Sequence, residues 1–338
     1  MDTAISWSEL GFRYIDTGTF IRADYRHGAW TKPEPATAAS ITLHIAATCL
    51  HYGQACFEGL KAFRQPNGSV ACFRADAHAR RLRRSAGKLL MTAPPENLFL
   101  DAVRLAVQRN ADYVPPVGTG ATLYIRPLLL GTSPVIGVHP SEEYAFLVFV
   151  MPVGPYYKNG MQPVAAYVQE HYDRAAPHGV GDIKAAGNYA AGLAADQEMR
   201  EKGFQISLYL DSAQHTFIDE FGTSNFIAVT RDGAYVTPKS DSILASVTND
   251  SLMTLARDAG LRVEHRPIRW EEIKDFAEIG ACGTAAVITP IHSITRGKEV
   301  LRFGDDKKPG PTLERLYNAI QAIQFGKSND QHRWMMPV

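Results

Sequence analysis

One lysine stands apart in this sequence. In the stretch from Gly179 to Gly192, reading GVGDIKAAGNYAAG, Lys184 follows Gly179 and Gly181 and precedes Ala185, Ala186 and Gly187. Small neighbours leave room for a bulky planar ligand. A lysine stripped of solvent also loses proton affinity and becomes an amine nucleophile. A Gly- and Ala-rich loop would equally well feed a helix with Lys184 pointing at water, and the stretch alone leaves both readings open.

Two other stretches suit an anion. Ser246-Val247-Thr248-Asn249 is rich in capping residues and opens a helix, where free backbone N–H groups and the positive dipole end attract phosphate. Gly283-Thr284-Ala285 is a small-residue turn at which backbone can approach a ligand and a hydroxyl can add a bond. Arg80, Arg81, Arg83 and Arg84 could supply a guanidinium to the same phosphate, or form a solvated helix face. Glu220 reads as a polar loop residue between two strands, and gains interest only if a ring nitrogen needs a carboxylate. Competing chemistries find no motif. Gly118-Thr119-Gly120 and Gly179-Val180-Gly181 lack the third glycine of a dinucleotide fingerprint, and no Walker lysine follows a glycine loop. The histidines, His171 and His178 among them, do not fall at metal spacing, so no metal site is expected.

The elements that must position these groups follow from length and pattern. With 338 residues the chain exceeds one typical core, and two domains are expected. Its 45% hydrophobic and 21% charged residues are those of an ordinary globular protein. Lysine plus arginine equals aspartate plus glutamate, 35 each, so no global field recruits nucleic acid or an anionic membrane. Cys49, Cys56, Cys72 and Cys282 form no CxxC pair and read as free thiols in a reducing cytosol. No signal peptide and no apolar bilayer-spanning segment is visible, so a cytoplasmic protein without a membrane partner is expected.

In order, strands are expected at Phe12–Ile15 and Phe20–Tyr25, a turn at Arg26-His27-Gly28 and a loop from Lys32 to Pro35. Gln65-Pro66-Asn67-Gly68 signals a hairpin with Val70–Phe73 as the return strand. A helix capped by Asp76 buries Leu82, Ala86, Leu89 and Leu90, and a second spans about Asn97 to Arg109. Ala121–Leu130 and Tyr144–Val150 are continuous apolar runs that suit strands covered on both faces. Between them Gly131–Val138 exposes apolar side chains, as a loop offered to a partner subunit would. Prolines and glycines crowd Met151–Gly160. The division expected is therefore 1–153 as a small N-terminal α/β domain, 154–163 as a linker and 164–338 as a larger C-terminal domain. In the latter, Val164–Val168 is a strand, Asn188 to about Lys202 a helix, and Gln205–Asp211 a strand with Ile206, Leu208 and Leu210 on one face. Phe217–Asp219 and Phe226–Thr230 are strands, Leu252 to Ala259 lies in a helix, and Arg262–Ile268 is a strand. Trp270–Phe276 is a short helix, an apolar strand runs to Ile291, and Pro311–Phe325 is the last helix.

Taken together the motifs carry a family likeness. HYGQACFEGLKAFR, FRADAHARRLRRSA, LYIRPLLLGTSPVIGV, GVGDIKAAGNYAAG, IDEFGTSNF and GACGTAAVITPI occur in the order seen in branched-chain amino-acid aminotransferases. The sequence resembles the long form of that family from about Trp7 to the last helix. The resemblance implies an α/β (α+β) fold, that of fold type IV pyridoxal-phosphate enzymes, with two domains and the active site between them. It implies that Lys184 holds pyridoxal 5'-phosphate as a Schiff base and shuttles the proton. Tyr189 would bond the phenolic oxygen, Glu220 would face the pyridine nitrogen, and Arg81 would bind the phosphate. Val247, Thr248 and Thr284 would complete the phosphate contacts, with Thr223, Thr284 and Ala285 on the substrate. Tyr52, Phe57, Tyr124 and Tyr156 match the aromatic wall of the side-chain pocket, and Tyr124 and Arg126 a pair near substrate carboxylates. Ile136 and Val138 match the loop that reaches the neighbouring subunit's site, which implies a homodimer.

Three departures stand out. Ala286 and Thr289 replace the redox CxxC of mammalian members, which predicts no thiol switch. Ala245-Ser246 replaces the commoner Pro-Gly before the phosphate-binding helix, where contacts are made by backbone. Arg22 lies near where some members place a pocket phenylalanine. The implied activity is ping-pong amino transfer between leucine, isoleucine or valine and 2-oxoglutarate, giving glutamate and the 2-oxo acids. The alternatives are a D-amino-acid aminotransferase or aminodeoxychorismate lyase of the same fold, or a cofactor-binding protein without turnover. The tyrosine-rich pocket speaks against the first two, and the Lys184, Tyr189 and Glu220 set against the last.

Overall fold

The two continuous apolar runs of the N-terminal half pair with each other as ten-residue antiparallel strands, Thr122–Gly131 with Tyr144–Val153. Both are buried along most of their length, as their uninterrupted apolar sequences require. They are the centre of a nine-stranded sheet in the computed structural model, which describes residues 5–7, 9–157 and 160–338. The chain divides into two compact units. The first is Met1–Tyr156 with Lys184–Gly187 and Ala322–Val338, and the second is Tyr157–Ile183 with Asn188–Gln321.

The first unit contains β1 (Phe20–Arg26), β2 (Ala29–Trp30), β3 (Glu34–Ala36), β4 (Ala55–Phe57), β5 (Leu60–Arg64), β6 (Val70–Phe73), β7 (Thr122–Gly131) and β8 (Tyr144–Val153). The C-terminal strand Met335–Pro337 pairs with β6, followed by β5, β7, β8, β1 and β2, while β3 pairs with β1 and β4 with β7. Its helices are α1 (Thr48–Tyr52), α2 (Ala75–Lys88) and α3 (Glu96–Arg109). Leu82, Phe99, Val103, Leu123, Ile125, Phe146 and Val148 belong to one core formed by α2, α3 and the sheet.

The second unit contains β9 (Val164–Val168), β10 (Ile206–Leu210), β11 (Ile218–Phe221), β12 (Ser224–Thr230), β13 (Tyr235–Pro238), β14 (Val263–Arg266), β15 (Phe276–Gly283), β16 (Val287–Arg296) and β17 (Glu299–Arg302). The order runs β11-β10-β9-β16-β15-β12-β13-β14, and β11 also pairs with β12, which closes six strands into a ring. Closure removes two free edges, each a row of unpaired backbone groups. The remaining helices are α4 (Gly187–Ala191), α5 (Leu193–Glu201), α6 (Val247–Asp258) and α7 (Pro311–Gln324). Helix α7 starts where it does because the Glu278 carboxylate accepts the N–H groups of Thr312 (3.0 Å) and Leu313 (2.9 Å).

Several local expectations are corrected. Phe12–Ile15 forms no strand. Lys32–Pro35 is not wholly loop, since Glu34–Ala36 pairs with β1. Helix α2 is capped by Arg74 in the left-handed region (φ 54°), and Asp76 instead lies in its first turn, ion-paired to Arg80 one turn on. Leu90 lies beyond the helix at φ 53° with its side chain exposed, so the buried stripe ends earlier. Strand β8 runs to Val153, and Lys158 and Asn159 of the expected linker 154–163 lie outside the described residues. The single helix expected from Asn188 is two, interrupted at Gly192. Strand β10 buries Ser207 and Tyr209 as well as its apolar face, so it is covered on both faces. Trp270–Asp275 is a 3₁₀ segment. Among the described residues no helix is long and apolar enough to cross a membrane. All four cysteines are free thiols, and Cys56, Cys72 and Cys282 are buried.

Phe99 of α3 is fully buried and its ring packs 5.7 Å from that of Phe146 on β8. Phe99→Ala should therefore cost about 3–5 kcal/mol by lost transfer energy and cavity formation, read as a lower urea midpoint.

Candidate active site

Lys184 is not a loop residue aimed at water. Its segment is stitched to β4 of the first unit: Ala185 bridges Cys56, the Phe57 N–H donates to the Lys184 carbonyl (3.2 Å), and the Ala186 N–H donates to the Ala55 carbonyl (3.0 Å). On the other side the Lys184 N–H donates to Ser85 Oγ on α2 (3.0 Å). Backbone bonds on both sides fix where the side chain starts.

The ammonium lies 4.9 Å from the centre of the Phe57 ring, and Arg126 stacks on the same ring at 4.6 Å. Arg126 also donates to Tyr124 Oη (2.9 Å). Gly59 makes room for that phenol, since a Cβ there would stand 2.2 Å from Tyr124 Oη. Lys184 keeps some accessible surface yet is closely surrounded by protein atoms, so its charge is poorly solvated. Burial, followed by the positive charge of Arg81, pulls its pKa down to about 8, against the raising effects of Glu58 and Tyr124.

Beneath this lysine is a charge cluster in which Arg81 is joined by Glu58 and His78, two residues that the sequence did not single out. Glu58 has no exposed surface. Arg81 Nε donates to its Oε1 (2.7 Å) and Arg81 Nη2 to its Oε2 (2.7 Å), and His78 Nδ1 lies 2.7 Å from Oε2. Burial alone would raise the Glu58 pKa. The charge and hydrogen bonds of Arg81, and then those of His78, overcome burial and hold the carboxyl well below the usual range. Burial pushes the His78 pKa down, so the neutral ring donates its Nδ1–H to the carboxylate. His78, Arg81 and Ser85 recur at helical spacing on α2 and so share one face. That spacing was the available signal for His78: of the arginines in the basic run, Arg81, the one the resemblance singles out, shares its face with His78 and Ser85.

Of the other residues singled out in the first unit, Tyr52 and Ile136 meet, the Tyr52 hydroxyl donating to the Ile136 carbonyl. Ile136 and Val138 are exposed, by 62% and 88%, as is Tyr156. Arg22 is held by Asp24 (3.0 Å), whereas Phe12 packs edge-on against Tyr124 with ring centres 5.1 Å apart.

The second unit carries the second group. Glu220 lies on β11 and is buried, which corrects the reading of it as a loop residue. Its carboxylate is ion-paired with Arg174 (3.0 Å) and accepts from Asn225 Nδ2 (3.1 Å) and the Leu244 N–H (3.0 Å). Arg174 is itself tied to the Gly181 and Ser242 carbonyls. Arg174, Asn188, Tyr189, Glu220, Thr223 and Asn225 line one hollow. Neither Arg174 nor Asn225 is given a role by the sequence: Arg174 lies outside the six motifs, and Asn225 lies within IDEFGTSNF, where only its neighbours Glu220 and Thr223 were singled out.

At the start of α6, Ser246 is the N-cap and its Oγ accepts the Asn249 N–H (3.1 Å). The Asn249 side chain is locked between Tyr235 (2.7 Å) and Thr237 (2.9 Å). This anchors the helix so that Val247 and Thr248, both buried, occupy its first turn, where N–H groups have no intrahelical acceptor. The departure to Ser246 therefore supplies a cap. Thr284 and Ala285 form the turn between β15 and β16, and Gly283 ahead of them lies against the Thr223–Ser224 turn. Among the described residues no group of three or more His, Cys, Asp or Glu side chains could hold a metal ion.

The chain belongs to the class IV amino-transferase family, whose profile matches residues 55–294. Along its whole length it is similar to branched-chain-amino-acid aminotransferases. It is 42% identical over 340 residues to that of Haemophilus influenzae, covering 99% of each chain, and 42% identical over 336 residues to that of Helicobacter pylori, covering 99% of this chain and 98% of the other. Among solved structures, the Escherichia coli branched-chain amino acid aminotransferase superposes with a TM-score of 0.78 at 25% identity, over 94% of this chain and 98% of that one. The Thermobaculum terrenum branched-chain amino acid aminotransferase in its PLP form shares the fold, with a TM-score of 0.75 at 24% identity, over 95% and 98%.

The lowered pKa of Lys184 predicts its reactivity in the cofactor-free protein. With pKa about 8 against an ordinary 10.5, the free-amine fraction is half-maximal at about pH 8 and levels off within about two units above it. Labelling by an amine-selective reagent, followed by peptide mass spectrometry, should be half-maximal at about pH 8 for Lys184 and at about pH 10.4 for exposed lysines.

Proposed function

We propose that the protein is a branched-chain amino-acid transaminase that uses pyridoxal 5'-phosphate. The observation that carries this reading is Lys184 itself: a poorly solvated amine, backbone-anchored on both sides, in a full-length relative of such enzymes.

The residues present fit the cofactor's chemical groups. Lys184 offers an amine with lowered proton affinity for an aldehyde. Arg81 and the first turn of α6 offer a guanidinium and backbone N–H groups for a phosphate. Glu220 offers a buried, hydrogen-bonded carboxylate for a pyridine N–H, and Tyr189 a hydroxyl for a phenolic oxygen. Bound pyridoxal phosphate supplies the electron sink that lets a proton leave the substrate's α-carbon. Lys184 then moves that proton as an amine, Glu220 keeps the ring nitrogen protonated, and Thr284 adds a hydroxyl to the phosphate contacts. Phe57, Tyr124, Tyr52 and Tyr156 form the apolar wall for a branched side chain. Arg126, with Tyr124, takes the second carboxylate of glutamate or 2-oxoglutarate, and Thr223, Thr284 and Ala285 the substrate carboxylate. One pocket can serve both substrates because apolar walls discriminate weakly and the charged group is met at one edge. The protein is read as cytoplasmic.

Leucine and 2-oxoglutarate should give glutamate in a coupled assay, with L- but not D-amino acids accepted. Lys184→Ala should lose turnover and the absorbance of lysine-bound cofactor, and normal turnover in that variant would refute the assignment. Glu220→Gln should retain cofactor yet slow the proton transfer in single-turnover measurements.

The exposed Ile136 and Val138 support a homodimer in which this loop completes the site of a second copy. Sedimentation should show a dimer, and a fully active monomer would overturn the shared site.

A further inference from the structure

We propose that Glu58 is a positioning residue for cofactor binding: it locks Arg81 into the orientation that grips the phosphate and ties that grip to the backbone that holds Lys184. This rests on the transaminase reading above.

The geometry is that of a fixed fork. Both oxygens of a carboxylate with no exposed surface are used, Oε1 by Arg81 Nε and Oε2 by Arg81 Nη2, each at 2.7 Å. Two parallel N–H···O bonds set the plane of a guanidinium and not merely its distance. His78, also buried, closes the remaining side at 2.7 Å from Oε2, so the carboxylate has little freedom to follow a moving arginine. The main chain of Glu58 is pinned as well, its N–H donating to the Pro127 carbonyl on β7 (2.8 Å).

The link to Lys184 is one residue long. Phe57, next to Glu58, donates its N–H to the Lys184 carbonyl and stacks its ring under the Lys184 ammonium. Arg81 sits four residues before Ser85, the acceptor of the Lys184 N–H. A strand residue and a helix face thus hold the amine and the guanidinium through one buried ion pair. The pair also sets charge: Arg81 lowers and Glu58 raises the proton affinity of Lys184. Replacing the carboxylate by an amide leaves the Arg81 charge uncompensated and breaks the fork.

The test uses the holoenzyme. Glu58→Gln should bind pyridoxal 5'-phosphate at least tenfold more weakly than the unaltered protein, measured by fluorescence titration after cofactor removal. The pH midpoint of the bound cofactor's absorbance should also move down. An unchanged or tighter Kd overturns the proposal, and so does an unchanged pH midpoint.

Because an amide in a charged pocket can hinder folding, Glu58→Gln/Arg81→Gln is compared with Arg81→Gln. If Glu58 acts through Arg81, the two bind the cofactor alike. A double variant weaker by a further tenfold overturns the proposal. Unaltered protein that neither binds pyridoxal phosphate nor transaminates would defeat the transaminase reading itself. Intact activity with insensitivity to Glu58→Gln would defeat only the role given to Glu58.

Discussion

Charge taken out of water must be matched by charge, and the first unit is arranged around one such match. Glu58 and Arg81 meet through two short hydrogen bonds with almost no solvent between them. Removing one partner of a pair of this kind costs about 3–5 kcal/mol, because the other charge is left unsolvated. Strand β4 and helix α2 are therefore held in register by more than apolar packing. Around that pair the other polar groups are ordered: His78 completes the carboxylate, Ser85 takes the Lys184 N–H, and Phe57 places its ring under the lysine. The depressed proton affinity of Lys184 is a consequence of this packing, since burial and the Arg81 charge act in the same direction.

The second unit meets the same constraint differently. Glu220 is a buried residue of β11, so its carboxylate is largely removed from water. Arg174, Asn225 and the Leu244 N–H satisfy it from three separate segments. The start of α6 is likewise fixed by a buried chain of bonds, Tyr235 to Asn249 to Thr237. Buried hydrogen-bond networks of this kind rigidify their surroundings.

Much of this was legible in the residues. Periodic apolar spacing marked α2, α3, α6 and α7, continuous apolar runs marked β7 and β8, and Gln65–Gly68 marked its hairpin, because each depends on neighbours within a turn or two of chain. Local rules erred in two places, and at the start of α2 a longer-range interaction was responsible. Asp76 looked like a cap, yet Arg74 turns the chain left-handed ahead of it and its N–H bonds the Trp334 carbonyl. Helix Asn188–Lys202 was expected whole, yet it breaks at Gly192.

The sequence by itself determined which chemistry was on offer: a lysine among small residues, a capped helix start, a Gly-Thr-Ala turn, and motifs whose order places the chain in its family. It could not decide which charges meet. Glu58 was an unremarked letter between Phe57 and Gly59, and Glu220 read as loop, until packing removed both from water and brought Arg81 and Arg174 to them. The reason is physical. Helix caps and turns are satisfied by atoms a few residues away and so are written locally, whereas desolvation and ion pairing depend on segments that only the folded chain brings together.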